Sequence, residues 1–324
     1  IIGLENLGRS NMGKKHSLLK TVLAATAALY ATNTAIDYHA KEKNLCSTAK
    51  GDFYDFKYGH IYYTRQGQGA PLLLLHNLDT ISSGYEWSKI LKKLEKDHTV
   101  YTLDLLGCGR SDKPSLTYTN FLYVQLLTSF IQDVIGEKTN VITSADASSI
   151  AIMANQMNPD LFDQIILINP SDIHQMKMET NRLQMAIKNI LFAPLVGTAL
   201  YNFYVSEDHI RSIFDKKYLS RPLQDNKKFT DLYYQSAHIH KSNGRFLYAS
   251  KKCSYTNVDV TRAFTDKDNL HIIESTDRKK AISIAEEYVK KNHAIDVTYI
   301  SNSKLLPMLE VPDQCLKIIQ NYLA

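Results

Sequence analysis

The chain reads as an α/β protein: a mostly parallel twisted sheet with helices on both faces, broken by a helical insertion and preceded by an extra helix. Three observations predict this. Between residues 53 and 170 short apolar runs alternate with helical stretches of about 10–15 residues, the pattern of a sheet whose crossovers cover both faces. From 171 to 262 that rhythm gives way to successive helical stretches such as 185–192 and 229–238, rich in Tyr and Lys. From 268 to 324 strand and helix alternate again, with Pro312–Leu323 as the closing helix. Four segments follow: 1–51, a helix and connector; 52–170, the first half of the core; 171–262, the insertion; and 263–324, the second half.

At 324 residues the chain can bury one large core and still carry an insertion. Its 44% apolar and 22% charged residues are ordinary for a globular protein, so disorder is not expected. The net charge of +5 is small and not gathered in runs, which argues against nucleic-acid binding. Cys46, Cys108, Cys253 and Cys315 lie far apart with no C-x-x-C spacing; free or buried thiols are expected, not a zinc or redox site. Asn44-Leu45 before Cys46 does not resemble a lipid-attachment motif.

Taken in order, the first element is an Ala-rich apolar run over 21–36 preceded by Lys14, Lys15 and Lys20. A helix there rises about 24 Å, short of the roughly 30 Å hydrocarbon core, though flanking lysines can snorkel. A signal peptide, a single membrane anchor and a helix lying on the bilayer all fit. If it spans, the cationic flank places the N-terminus inside and the body on the extracytoplasmic side. Met12-Gly13 through Ser17 also matches a myristoylation pattern, but the apolar run explains the region without it. Lys41, Glu42, Lys43, Lys50 and Gly51 mark 37–51 as a connector, and 53–63 alternates like a hairpin around Tyr58-Gly59-His60. Residues 71–75 form a buried-strand run ending in His76-Asn77, Trp87 opens a helix, and 98–104 is the next strand. That strand enters Asp104-Leu105-Leu106-Gly107-Cys108-Gly109-Arg110-Ser111-Asp112-Lys113-Pro114. Residues 140–151 run as an apolar strand, a turn of small residues and the start of a helix; 164–168 is a further strand, ending in Asn169-Pro170.

These motifs resemble the α/β-hydrolase fold superfamily over roughly residues 52–324. The turn 104–114 is similar to the family's D-x-x-G-x-G-x-S-D-x-P, and Thr143-Ser144-Ala145-Asp146-Ala147 occupies the place of its nucleophile elbow, G-x-S-x-G. The resemblance implies that Ala145 sits in the nucleophile slot, Asp277 after the strand at 270 in that of the catalytic acid, and Leu305 in that of the general-base histidine. It places His76 and Asn77 in the oxyanion loop, where the family has His-Gly, and makes the insertion a helical cap. A leucine cannot accept a proton and an alanine cannot attack.

Asp146 is the alternative nucleophile, since haloalkane dehalogenases and epoxide hydrolases of this fold attack with an aspartate. The register of Ala147-Ser148-Ser149-Ile150-Ala151 fits only with Ala145 in the slot, and Leu305 still leaves no base. Ser144, Ser148 and Ser149 are weaker substitutes. Otherwise Asp146 and Ser148 cap the elbow helix, Asp277 is a loop residue, His76 supports its loop, and Asn77 suits a left-handed backbone. His238 and His240 have no third ligand at a metal-binding spacing, so a solvated pair is expected, with no metal and no cofactor. Tyr201, Tyr204, Tyr233 and Tyr234 either line a pocket or pack the cap. The expected function is a membrane-associated hydrolase-like protein, hydrolytically inactive, binding a small apolar ligand or a protein partner. The other reading is an active hydrolase of small esters, epoxides or C–C bonds using Asp146.

Overall fold

The computed structural model describes residues 2–42, 50–264 and 269–324, with side chains in the first stretch described at 20–40. β1 (Asp52–Phe56) and β2 (Gly59–Gln66) form the hairpin that the alternation predicts. β3 (Ala70–Leu75), β4 (His98–Leu103), β5 (Thr139–Ser144), β6 (Phe162–Ile168), β7 (Leu270–Ser275) and β8 (Asp296–Ile300) complete one sheet in the order β1-β2-β4-β3-β5-β6-β7-β8. β2 meets β4 antiparallel, and every pairing from β4 through β8 is parallel.

The apolar runs are continuous because both faces of the sheet are covered. Leu73 and Leu75 of β3 belong to one core cluster, Leu72 and Leu74 to the other, and all four are fully buried. Alternate residues of a strand point to opposite faces, so each leucine is buried on its own side and contributes on the order of 2 kcal/mol.

α1 (Ile2–Glu42) precedes the sheet. α2 (Leu91–Leu94) joins β3 to β4, α3 (Asn120–Phe130) joins β4 to β5, and α4 (Ser148–Met157) follows β5. Six helices lie in the insertion: α5 (Ile173–Met176), α6 (Arg182–Phe192), α7 (Pro194–Tyr204), α8 (Glu207–Ile213), α9 (Asn226–His238) and α10 (Arg245–Lys252). α11 (Ala281–Lys291) links β7 to β8, and α12 (Pro307–Glu310) and α13 (Pro312–Leu323) close the chain. α3, α4 and α11 contribute to one core cluster, α2 and α13 to the other. Pro312 at the first turn of α13 removes one of the N–H groups that a helix start leaves unpaired, and its fixed φ suits that position.

The insertion is locked to the core by buried polar contacts. The Tyr201 hydroxyl pairs with Thr80 Oγ1 at 2.9 Å, and Lys113 Nζ donates to the Ser236 carbonyl at 2.6 Å.

Two expectations are corrected. Trp87 does not open a helix: it ends the single 3-10 turn Gly84–Trp87, fully buried, and α2 begins only at Leu91. The N-terminal helix, expected over about 14–43, runs into the segment 37–51 as far as Glu42, and its last turns find partners on the insertion. Asn33 accepts from Asn202 Nδ2 at 3.0 Å, Asp37 accepts from the Ser242 hydroxyl at 3.1 Å, and Ala40 is buried. Cys46 lies outside the described residues, whereas Cys108, Cys253 and Cys315 are free and buried. Among the described residues no single helix is long and apolar enough to cross a membrane.

Candidate active-site pocket

β5 delivers the chain to Ala145 and α4 carries it away. Ala145 has φ +49°, a left-handed backbone that costs an L-residue roughly 1–2 kcal/mol. It is held there because β5 is paired on both sides, Thr143 against Leu75 and Ser144 against Ile168, and because Thr143 Oγ1 meets Ser148 Oγ at 3.0 Å across the turn. The strained turn of an elbow is therefore present. At its apex a methyl group, 4% exposed, faces a cavity of about 730 Å³ that Asp146 and Leu305 also line. Ser144, Ser148 and Ser149 are buried and do not line it.

The turn after β4 is the scaffold beneath this pocket. Asp104 accepts from the Gly84 N–H at 2.7 Å, the Arg110 N–H at 2.9 Å and Arg110 Nε at 2.8 Å. Burial would raise the Asp104 carboxyl, but Arg110 outweighs it and holds the group below the usual carboxylate range. Gly109, at φ +50°, lies against that carboxylate with no room for a Cβ. The Leu105 N–H in turn donates to His76 Nε2 at 3.0 Å, and His76 Nδ1 contacts the Asn77 carbonyl at 2.7 Å. Accepting at one nitrogen and donating at the other fixes a neutral tautomer; burial pushes the imidazole pKa down as well. His76 thus braces its loop.

Asn77 acts through its side chain. Its backbone is not left-handed, so the αL role does not apply. The Asn77 N–H donates to Glu86 Oε2 at 3.0 Å, Nδ2 donates to the Tyr218 hydroxyl at 3.3 Å, and Oδ1 accepts the Asp146 N–H at 3.3 Å. In the fold that Ala145 resembles, the N–H after the nucleophile is an oxyanion donor. Here that donor faces an amide oxygen of the protein itself. Burial raises the Glu86 carboxyl to about 7 even though it accepts from Asn77 and from Tyr233.

Asp146 does not cap α4, and neither does Ser148. Asp146 Oδ2 lies 2.6 Å from Lys251 Nζ, and Oδ1 accepts from the Ser171 hydroxyl. Lys251, at the end of α10, also binds Asp79 at 3.2 Å and the Leu78 carbonyl at 2.6 Å. Burial alone would raise the Asp146 carboxyl, yet Lys251 outweighs it and keeps the group ionised. One oxygen of this carboxylate is thus held by an ammonium and the other by a hydroxyl. Sequence reasoning missed Lys251 because nothing near it in the chain marks it.

Leu305 lines the cavity; its N–H donates to the Tyr218 carbonyl at 3.0 Å and its carbonyl accepts from Asn169 Nδ2 at 3.1 Å. Asp277 follows β7 as expected but is exposed, accepts from the Ser220 hydroxyl at 2.7 Å and does not line the cavity. Of the four tyrosines singled out, only Tyr204 lines it; Tyr201, Tyr233 and Tyr234 are buried, while Tyr218 and Tyr248, not foreseen, form part of the wall. The expectation of a solvated histidine pair is overturned for His238, whereas His240 is exposed. His238 is buried with Nδ1 2.8 Å from the Tyr234 carbonyl, and His240 lies 3.8 Å from Asp112. Among the described residues no group of three or more His, Cys, Asp or Glu side chains is placed to hold a metal.

The chain belongs to the alpha/beta hydrolase fold family, whose sequence profile matches residues 70–255. Within that family it is similar to a soluble epoxide hydrolase of Corynebacterium sp., 28% identical over 34% of this chain and 37% of that protein. A haloalkane dehalogenase of Agrobacterium fabrum is 37% identical over 18% of this chain and 19% of that protein. The chain spans about a third of the length of the first curated relatives it matches. Among solved structures, a serine hydrolase involved in carbazole degradation superposes with a TM-score of 0.68 over 85% of this chain and 98% of that one at 13% identity, a likeness of fold.

Proposed function

We propose that this α/β-hydrolase-fold protein carries no hydrolytic chemistry and binds a ligand in the inherited pocket while lying against a membrane. The observation that carries the reading is the contact between the Asp146 N–H and Asn77 Oδ1, beside a methyl group at the nucleophile turn. Loss of one oxyanion donor costs about 10²–10³ in rate, and loss of nucleophile or base roughly 10⁶. Labelling by a fluorophosphonate and turnover of short p-nitrophenyl esters test it; the unmodified protein is expected to show neither above a buffer control.

The similarity to an epoxide hydrolase and a dehalogenase favours a second reading, in which Asp146 attacks an epoxide or alkyl halide. The contacts of Lys251 and Ser171 weigh against it, because both carboxylate oxygens are engaged. Turnover of styrene oxide or 1-chlorobutane, abolished by Asp146→Asn, would establish that reading in place of the first.

Membrane association is supported by two exposed apolar stripes. Leu183, Ile187 and Ile190 on α6, and Val196, Leu200 and Phe203 on α7, each repeat at i, i+4, i+7 and face outward. α6 and α7 meet at 97°, and as a pair they have the length and composition of a broken membrane segment. α1 packs beside α7 and adds exposed Val22, Leu23 and Tyr30, while Thr32 and Thr34 return their hydroxyls to its own carbonyls. Such a surface suits an interfacial helix lying in the headgroup region. In flotation with anionic liposomes the full chain is expected to float and Ile190→Glu/Phe203→Glu to remain at the bottom; equal flotation of both removes this surface from the reading.

A further inference from the structure

We infer that the pocket takes a ligand with an anionic head, a carboxylate or a phosphate, carried on an apolar body. This rests on the reading of the cavity as a ligand site and adds the chemistry of what enters it. Six cationic side chains line the cavity: Lys217, Lys251, Lys252, Arg278, Lys279 and Lys280. They come from three separate places, the cap turn at 214–218, the end of α10, and the loop from β7 to α11.

Two of the six are already matched. Lys251 is held by Asp79 and Asp146, and Arg278 Nη1 binds Glu274 at 2.8 Å. Lys217, Lys252, Lys279 and Lys280 are exposed, and among the described residues none has an ion pair. The remaining carboxylate of the lining, Asp172, caps α5 by accepting the His174 N–H at 2.8 Å, and its single negative charge leaves these four lysines in excess. Lys280 is also the N-cap residue of α11, which has no side-chain cap and no acidic residue in its first turn. The dipole of that eleven-residue helix therefore adds to the positive field at the loop. Four unmatched ammonium groups gathered around one concavity raise the local concentration of anions and repel cations.

The apolar part of the same lining sets the rest of the ligand. Tyr204 stacks on Tyr248 with ring centroids 4.1 Å apart, and Tyr218, Ile213, Leu305 and the Ala145 methyl continue the surface. Burial raises the three phenols, so they stay neutral and present rings and O–H groups, not charge. An apolar body seated there leaves its head at the lysines. A free anion would use only the mouth, and a neutral apolar molecule only the wall.

Titration calorimetry on the full chain tests this with decanoate, decyl phosphate, 1-decanol, decyltrimethylammonium and inorganic phosphate, each below its aggregation concentration. Both anionic amphiphiles are expected to bind at least tenfold tighter than the alcohol and the cation, and inorganic phosphate more weakly than decyl phosphate; the better of the two heads identifies carboxylate or phosphate. Lys252→Gln/Lys280→Gln is expected to lose about tenfold for the anionic heads and nothing for decanol, with Lys92→Gln, an exposed lysine elsewhere, as control. Equal affinity for decanol and the anions, or no change in the double variant with its unfolding transition intact, overturns the inference and leaves the pocket a ligand site. Binding of none of the amphiphiles overturns both. Ester turnover by the unmodified protein overturns only the non-hydrolytic reading, because neither anionic probe carries a carboxylic ester.

Discussion

Replacing Lys251 by Met would leave Asp79 and Asp146 facing each other without their shared cation. The ammonium lies 2.6 Å from Asp146 and 3.2 Å from Asp79. At an effective dielectric of about 20 these contacts are worth roughly 6 and 5 kcal/mol before desolvation is subtracted. Desolvation cancels much of that, and water reaches the group: side-chain exposure is 25% for Lys251, 13% for Asp79 and 39% for Asp146. Breaking a fully buried pair costs about 3–5 kcal/mol, and screening at this exposure brings the expected loss to about 2–3 kcal/mol. For a chain of 324 residues that lowers Tm by about 3–5 °C. The sign with pH is fixed by Asp146, whose folded pKa is depressed chiefly because Lys251 outweighs burial. Its stabilisation is present above the unfolded carboxylate value of about 3.9 and is lost as pH falls through the folded value. The variant's deficit is therefore largest near pH 7.5 and shrinks below about pH 4, where Asp146 protonates. Thermal unfolding followed by circular dichroism at both pH values measures this. Lys251→Met/Asp146→Asn should be less destabilised than the sum of the single changes by at least about 1 kcal/mol. A Lys251→Met protein within 1 °C (~0.7 kcal/mol) of the parent at pH 7.5, or strict additivity in the double variant, would refute the reasoning.

Three further outcomes are expected. Burial raises Glu86 and Glu274 to about 7, so the folded chain holds protons that the unfolded chain releases between about pH 4.5 and 7. Stability should fall as pH rises through that window, by up to about 3 kcal/mol per carboxyl, and urea titrations should find this slope reduced in Glu86→Gln; an unchanged slope would remove Glu86 as its source. Ala145→Ser/Leu305→His should remain at background on p-nitrophenyl acetate while Asn77 fills the oxyanion position, and adding Asn77→Gly should bring turnover above background. Equal rates for the double and triple variants would mean that Asn77 is no obstruction. Gly109→Ala drives a Cβ into the Asp104 carboxylate at a left-handed backbone and should cost about 2–4 kcal/mol in thermal unfolding; a loss under about 1 kcal/mol would show that the turn yields easily.

The parts of this protein legible in the chain are those whose physics is local. β3, β5 and β6 announce themselves as continuous apolar runs because both faces of a parallel sheet are covered. The turn after β4 is readable because Asp104, Gly109, Arg110 and Ser111 satisfy one another within seven residues. The elbow is readable because small residues follow a strand and precede a helix, and Ala145 does occupy its strained apex. What the pocket contains was decided by contacts across the chain. Asn77 meets Asp146 across 69 positions and Tyr218 across 141, and Lys251 binds Asp79 across 172. No periodicity or short motif records such partners, since each depends on how the strand-end loops and the cap meet over the sheet. The same holds for Asp277, placed correctly after β7 yet turned outward to Ser220. It holds too for α1, whose apolar run was plain but whose last turns end against the cap, because Asn33 and Asp37 find Asn202 and Ser242 only after folding.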